Sequence, residues 1–141
     1  MSVVVITGCS SGFGMLAALE FARRGDSVYA TMRNTAKADR LHTRAQAVGV
    51  AVEVLQLDVN DIGSVGAAIE EVIRREGRID VLVNNAGISI DGPVEDFDDD
   101  EVLVVFETNL FGVIRVTRAV LPHMRSQGSG TIVTEIGRAH V

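Results

Sequence analysis

The chain has 141 residues, of which 47% are hydrophobic and 23% charged, and its formal net charge is −6. This length suits one domain, and the apolar content is too high for a disordered chain. The acidic balance provides no basic face for a phosphate backbone or an anionic membrane surface, so we expect no nucleic-acid partner and no membrane attachment.

Predicted strands and helices alternate along the chain. Residues 2–7 are a β-branched run that predicts a strand, and a glycine-rich loop then leads into a helix over 13–24 that ends at Gly25. Apolar runs predict further strands over 27–32, 51–57, 79–84 and 130–134, and helical spacing predicts further helices over 37–48, 61–76 and 98–125. This alternation indicates the α/β class, with a doubly wound parallel sheet covered on both faces and strand order 3-2-1-4-5.

A sheet of this kind binds ligands beyond the carboxyl ends of its strands, where the strand order reverses. Here that point lies between the strands at 2–7 and 79–84. The glycine-rich loop follows the first of these strands, and the segment NNAG at 84–87 follows the second. The sequence therefore places its two least strand-like motifs side by side at the expected binding edge.

The glycines of the loop, Gly8, Gly12 and Gly14, have the spacing TGxxxGxG between a strand and a helix. Glycine lets the backbone turn tightly and lets a pyrophosphate approach the helix N-terminus, while the hydroxyls of Ser10 and Ser11 can donate to phosphate. We interpret the loop as a dinucleotide site, the alternative being a turn that only connects strand to helix. A P-loop is excluded because no lysine follows Gly12.

Two residues after the second and third strands bear on cofactor choice. Arg33 follows the second strand and no acid occurs until Asp39, so NADP is favoured over NAD, unless Arg33 is only a solvated loop residue. Asp58 ends the third strand and either accepts from an adenine amine or caps the next helix together with Asn60 and Asp61.

Four segments in this order, 7–14 (TGCSSGFG), 57–59 (LDV), 84–87 (NNAG) and 107–112 (ETNLFG), resemble the short-chain dehydrogenase/reductase family. Within the family the chain is similar to the NADP-preferring hydroxysteroid and retinol dehydrogenase group. The resemblance implies a Rossmann-type fold and an NADP-dependent oxidoreductase that transfers a hydride between NADP(H) and a small-molecule alcohol or carbonyl substrate. It also implies a homo-oligomer.

The resemblance further implies a set of site residues. Asn109 matches the family's helix residue whose local kink holds a water of a proton relay; the alternative is a buried amide satisfied by a helix carbonyl. The other residues implied by the resemblance would bind the cofactor, contacting its pyrophosphate, 2′-phosphate, adenine and ribose. They are Gly8, Ser10, Ser11, Gly12, Phe13, Gly14, Arg33, Asp58, Val59, Asn85, Ala86 and Gly87.

The chain departs from the family after the fifth strand. Family members continue to a catalytic Ser, Tyr and Lys, but the single tyrosine here is Tyr29, and Gly137 occupies the position of the Ser. We expect residues 1–134 to be a partial nucleotide-binding domain, incomplete at its C-terminal side and inactive alone. Residues 135–141, whose back-translation resembles a sequencing adapter, are expected to be a non-native tail. Alternatives are a naturally short chain and a non-catalytic dinucleotide-sensing protein of the same fold.

Other site classes find little support in the sequence. No Cys or His residues have metal-ligand spacing, so we expect no metal site, and a single cysteine favours a reducing, cytoplasmic setting. The acidic run at 95–101 should complement a helix N-terminus. The most apolar long segment, 102–121, carries Glu107 and Arg115, which predicts a buried helix rather than a membrane span.

Overall fold

Five parallel strands form one sheet in the computed structural model, which describes residues 1–137. The strands are β1 (Val3–Ile6), β2 (Ser27–Met32), β3 (Glu53–Gln56), β4 (Val81–Asn84) and β5 (Thr131–Thr134). They lie in the order β3-β2-β1-β4-β5, which confirms the predicted order. The strand order reverses between β1 and β4, which pair directly: Val5 of β1 is in register with Leu82 of β4.

The helices are α1 (Gly12–Arg23), α2 (Asp39–Ala47), α3 (Ile62–Glu76), α4 (Asp99–Phe106) and α5 (Val113–Gln127), with 3-10 turns at Thr35–Lys37 and Val94–Asp96. Their ends follow capping chemistry. Asp61 accepts hydrogen bonds from the backbone N–H groups of Gly63 and Ser64 and begins α3, and Gly77, with φ +73°, ends it. Asp98 and Glu101 form a reciprocal capping box at the start of α4, where the acidic run complements the helix dipole as predicted.

Helices cover both faces of the sheet. On one face, Val65, Ile69 and Val72 of α3 and Val116 and Val120 of α5 are fully buried against the strands. On the other face, the buried set comes from α1, α2 and the alternate strand positions: Met15, Ala18, Leu41, Val4, Ile6 and Ala30. Because successive side chains of a strand point to opposite faces, the continuous apolar runs of β1 and β2 supply both layers.

The chain is helical over the whole of the predicted 98–125 segment after Asp98, but the helix is not uniform: it changes form around Asn109, where the family resemblance implies a local kink. A π-helical segment, Glu107–Gly112, separates α4 from α5, and α5 continues to Gln127 with Pro122 inside it. A π turn contains about one residue more than an α-helical turn. The apolar residues keep a spacing compatible with a helix across it, so the sequence pattern does not reveal the change.

The expectation that 102–121 is buried is wrong for its first five residues, 102–106. No residue of α4 is buried, and Leu103 and Phe106 are 61% and 51% exposed. An apolar sequence shows that burial would be favourable but does not specify a covering element. Within residues 1–137, no helix is long and apolar enough to span a membrane, and no cluster of His, Cys, Asp and Glu side chains could hold a metal ion.

The segment after β5 is described only in part. The Glu135 N–H donates to the carbonyl of Asn84 at 2.9 Å, and the side chain of Ile136 is 93% exposed. Residues 138–141, on which part of the tail prediction falls, lie outside the described residues.

Candidate functional site

A pocket of about 300 Å³ lies at the carboxyl ends of the strands. It is lined by every predicted site residue except Gly14 and Asn109. Five lining residues were not predicted from the sequence: Met32, Leu57, Asn60, Ile88 and Thr108. Each is the chain neighbour of a predicted residue and could have been included on that ground. Thr108 differs from the other four because its predicted neighbour, Asn109, does not itself line the pocket.

The glycine loop is fastened to the chain that follows β4. Thr7 Oγ1 accepts hydrogen bonds from the backbone N–H groups of Asn85 and Ala86, both at 3.0 Å. In return, Asn85 Nδ2 donates to the carbonyls of Thr7 at 3.0 Å and Gly8 at 3.1 Å. The two motifs that the sequence placed side by side are therefore joined by four hydrogen bonds.

Two glycines allow this close approach. A Cβ on Gly8 would lie 2.7 Å from the Cα of Ala86, and Gly8 also has φ +73°. A Cβ on Gly14 would lie 2.4 Å from both the Gly8 carbonyl oxygen and Asn85 Nδ2. Gly14 is thus buried behind the loop, where it permits packing, and it does not face the pocket.

Gly12 differs from these two because no protein atom lies within 4 Å of where its Cβ would be. It lines the pocket at the first turn of α1, with φ +60°. The N-cap residue Ser11 makes no side-chain hydrogen bond to the helix, and the first turn holds no acidic residue. The positive end of α1 therefore faces an open space beside the pocket.

Three polar side chains of the pocket have no protein partner within residues 1–137. The hydroxyls of Ser10 and Ser11 form no hydrogen bond there, and the exposed guanidinium of Arg33 forms no hydrogen bond or ion pair. Only the backbone carbonyl of Arg33 is engaged, by Gln56 Nε2 at 3.4 Å. Donors at a helix N-terminus together with an unpaired guanidinium suit an anionic ligand.

The hydrogen bonds of Asp58 bear on its two interpretations, an adenine contact and a cap of the next helix. Its Oδ1 accepts from the Asn60 N–H at 2.9 Å, and its own N–H donates to Ser64 Oγ at 2.9 Å. The cap of α3 is Asp61, so the capping alternative is wrong for Asp58. Asp58 remains a lining residue of the pocket, beside the buried side chain of Val59.

Asn109 lies in the π-helical segment and is exposed. Its Oδ1 accepts from the Ile88 N–H and its Nδ2 donates to the Ile88 carbonyl, both at 2.8 Å. The alternative of a buried amide satisfied by a helix carbonyl is therefore wrong, because the partner is the backbone of a loop. Through this pairing Asn109 holds the chain that follows Gly87 at the mouth of the pocket.

Two acidic groups have raised pKa values, and neither lines the pocket. Burial raises the pKa of the Tyr29 hydroxyl to about 12, helped by its hydrogen bond to Glu76 Oε1 at 2.7 Å. Burial also raises the pKa of the Cys9 thiol to about 12, and its Sγ donates to the Ile6 carbonyl. Both groups are neutral at pH 7, so neither supplies an anionic nucleophile.

The chain matches the family model of the short chain dehydrogenases over residues 2–136. It is 44% identical over 138 residues to 17-beta-hydroxysteroid dehydrogenase type 1 of Homo sapiens, an alignment that covers 94% of this chain and 42% of that protein. Among solved structures, a short-chain dehydrogenase from Streptomyces avermitilis has a TM-score of 0.83 and 41% identity, covering 94% of this chain and 48% of the other.

A second solved structure, an actinorhodin polyketide ketoreductase with NADPH, has a TM-score of 0.87 and 34% identity, covering 94% of this chain and 52% of that one. The chain thus spans about half the length of the relatives it matches. The match extends over nearly all the described residues, including the glycine loop and the chain after β4. The chain belongs to the short-chain dehydrogenase/reductase family of oxidoreductases.

Proposed function

We propose that this chain binds NADP(H), and that the protein containing it transfers a hydride between NADP(H) and a small-molecule alcohol or carbonyl compound. The observation that carries the proposal is Gly12. Its φ of +60° already favours glycine, and no protein atom lies within 4 Å of its Cβ position, so the space beside the N-terminus of α1 is open. A phosphate could therefore approach the free N–H groups of that helix end closely.

The residues present suit a dinucleotide over the whole length of the pocket. Gly12, Ser10 and Ser11 offer donors to a pyrophosphate at the start of α1. Asp58 and Val59, also in the pocket lining, would provide a carboxylate acceptor and an apolar surface for adenine. The backbone of 85–88, on the other side of the glycine loop in the chain fold, would contact the nicotinamide ribose.

The choice of NADP over NAD rests on Arg33 and Ser11. Both line the pocket with polar groups that have no partner in residues 1–137, as a 2′-phosphate contact requires. Arg33→Asp should remove a charge-assisted contact worth about 1.5–3 kcal/mol, so we expect the ratio of Kd for NAD to Kd for NADP to fall at least about tenfold. Equal ratios before and after the change would overturn the assignment.

Bound NADPH supplies the hydride, and this chain's residues hold and orient it. Asn109 fixes the Ile88 backbone at the pocket mouth, and we assign it the relay role that the family resemblance implies. Proton transfer to a substrate oxygen needs a further acid, and the single tyrosine, Tyr29, is bound to Glu76 inside the sheet. We therefore expect the 141-residue chain to bind the nucleotide weakly and to show no carbonyl reduction.

We also propose the extent of the domain, the oligomeric state and the location of the protein. We assign residues 1–134 to a partial nucleotide-binding domain and 135–141 to a non-native tail, which the exposure of Ile136 supports. The exposed apolar side chains of Leu103 and Phe106 support a homo-oligomeric protein. The free thiol of Cys9 supports a reducing, cytoplasmic setting.

The test compares Gly12→Ala with Gly49→Ala in a two-dimensional NMR titration with NADPH. Gly49 has φ +70° and equally open surroundings, but it lies outside the pocket, so both variants carry a similar backbone strain. Gly12→Ala should raise the Kd about tenfold or more by removing phosphate hydrogen bonds worth about 1.5–3 kcal/mol, whereas Gly49→Ala should leave it unchanged. Equal affinities of the two variants, or no shifts in the wild-type chain, would overturn the proposal.

A further inference from the structure

Arg115 joins the π-helical segment to one wall of the pocket. It lies on α5, and its Nη1 donates to the carbonyl of Val59 at 3.3 Å. Its Nη2 forms an ion pair with Glu107, the first residue of the π-helical segment. One half-buried guanidinium therefore bridges a backbone oxygen of the pocket wall and a carboxylate eight residues away along the helix.

Two further contacts bring the same parts together. Asn60 Nδ2 donates to Thr108 Oγ1 at 2.9 Å. A Cβ on Gly112 would lie 2.7 Å from Val59 Cγ2, so the helix can approach this closely only because the residue is glycine. The loop at 58–60 is thus fixed against the π-helical segment by a hydrogen bond, a glycine contact and the guanidinium of Arg115.

A second part of the pocket lining depends on the same segment. Ile88 lines the pocket, and both its backbone hydrogen bonds to a side chain go to Asn109, in the middle of the π-helical segment. Val59 and Ile88 therefore take their positions from one six-residue segment. The hydrogen-bond ladder of a π turn differs from that of the α-helices beside it, so the segment needs side chains from outside to hold its shape.

We propose that Arg115 is a positioning residue for the nucleotide pocket. By holding Val59 and Glu107 at once, it sets the position of the π-helical segment and, through Asn109, the position of Ile88 relative to Val59 in the pocket lining. The inference rests on the proposed function for its ligand, but the positioning itself belongs to the ligand-free protein. Lysine cannot replace arginine in this role, because an ammonium lacks the planar fork that reaches two separate acceptors.

The amide of Ile88 provides the readout, because its N–H is donated to Asn109 Oδ1. In hydrogen exchange followed by NMR on the ligand-free chain, Arg115→Lys should speed exchange at Ile88 about tenfold, as expected for local opening rather than global unfolding. Amides of β1 and β4 should keep their wild-type rates. Arg118→Lys is the matched control, since Arg118 is exposed on the same helix and has no partner in residues 1–137.

A second measurement separates positioning from general loss of folding. Adenosine 2′,5′-bisphosphate would contact the pocket lining at Val59 but not at Ile88, whereas NADPH would contact both. Arg115→Lys should therefore raise the Kd for NADPH by about tenfold, and the Kd for the bisphosphate by less than about threefold. Arg115→Met should show the same pattern with a larger effect, and Glu107→Gln should show a smaller one, because an amide can still accept the hydrogen bond.

Two results would overturn the proposal. One is an unchanged Ile88 exchange rate in Arg115→Lys while the chain stays folded. The other is a uniform rise in exchange across the sheet, which would make Arg115 a general stability residue. If the wild-type chain binds neither nucleotide, the proposed function fails, and the exchange rate of Ile88 alone then upholds or overturns the positioning role.

Discussion

The two sides of the pocket are held by different means. The glycine wall, made of residues 7–8 and 85–86, is closed by hydrogen bonds to backbone atoms and by glycines that leave no room for a Cβ. The braced wall, made of residues 58–60 and Ile88, is held by side chains of the π-helical segment and α5. Backbone contacts tolerate little change, whereas side-chain contacts on a partly exposed surface can be altered one at a time. The glycine wall should therefore be rigid and the braced wall adjustable.

The largest expected effect is on stability and comes from Gly14, which packs behind the glycine wall. In Gly14→Ala the new Cβ would lie 2.4 Å from the Gly8 carbonyl oxygen, so the loop and Asn85 must move. We expect a loss of about 3 kcal/mol in the free energy of unfolding measured with urea, the upper range for overpacking a tight site. Gly66→Ala in α3 is the control, because its Cβ meets nothing and alanine favours a helix by about 0.5–1 kcal/mol. Equal stabilities of the two variants would contradict the rigid glycine wall.

A smaller effect should come from alkaline pH, through the buried thiol of Cys9 in the glycine loop. In the unfolded chain the thiol ionises near its ordinary pKa of 9.0, whereas burial in the folded chain raises that pKa to about 12. The contribution of the buried thiol to stability is therefore complete below pH 9 and is lost as the pH rises toward 12. By about pH 10 the loss should be about 1 kcal/mol.

Urea midpoints between about pH 7 and pH 10.5 measure this slope. Cys9→Ser keeps a donor for the Ile6 carbonyl but does not titrate in this range, so its slope should be shallower. Tyr29→Phe serves as a second comparison, since the pKa of Tyr29, raised from 10.0 to about 12, acts in the same direction between these two values. A Cys9→Ser slope identical to that of the wild type would contradict the assignment.

The smallest effect should come from a single contact of the braced wall. Thr108→Val removes the acceptor of Asn60 Nδ2 at nearly constant volume, and Asn60 is exposed enough for water to replace it. We expect less than about 1 kcal/mol of destabilisation in urea unfolding, the range of a typical hydrogen bond. The reporter of local change is the Ile88 amide, which should exchange only slightly faster. A loss as large as that of Gly14→Ala would show that the two walls are equally rigid.

Much of the glycine wall could be predicted from the sequence, because the patterns that indicate it involve residues close together in the chain. The run at 2–7 predicts a strand and the spacing of Gly8, Gly12 and Gly14 predicts the turn into a helix, whichever parts of the chain pack around them. Strand alternation and crossover handedness then fixed the order of the sheet. The position of the pocket followed from that order, since ligands bind where it reverses.

The role of Gly14 within this wall was not accessible in the same way. The motif grouped it with Gly8 and Gly12, but the structure buries it behind the loop, against Asn85. A motif shows that glycine is needed at a position but not why. A ligand close to the backbone and another protein segment close to the backbone both require the same residue. Only the neighbouring atoms distinguish a glycine that admits a ligand from one that admits another part of the backbone.

The sequence by itself determined the α/β class, the glycine loop and the family through residue types at short spacings, and the strand order through the alternation of elements and the handedness of crossovers. Tertiary structure alone decided that Asn109 pairs with Ile88 and that Arg115 reaches Val59. These contacts join residues 21 to 56 positions apart. No periodic pattern encodes such pairs, because they depend on how packed elements meet in space and not on the preference of any local segment.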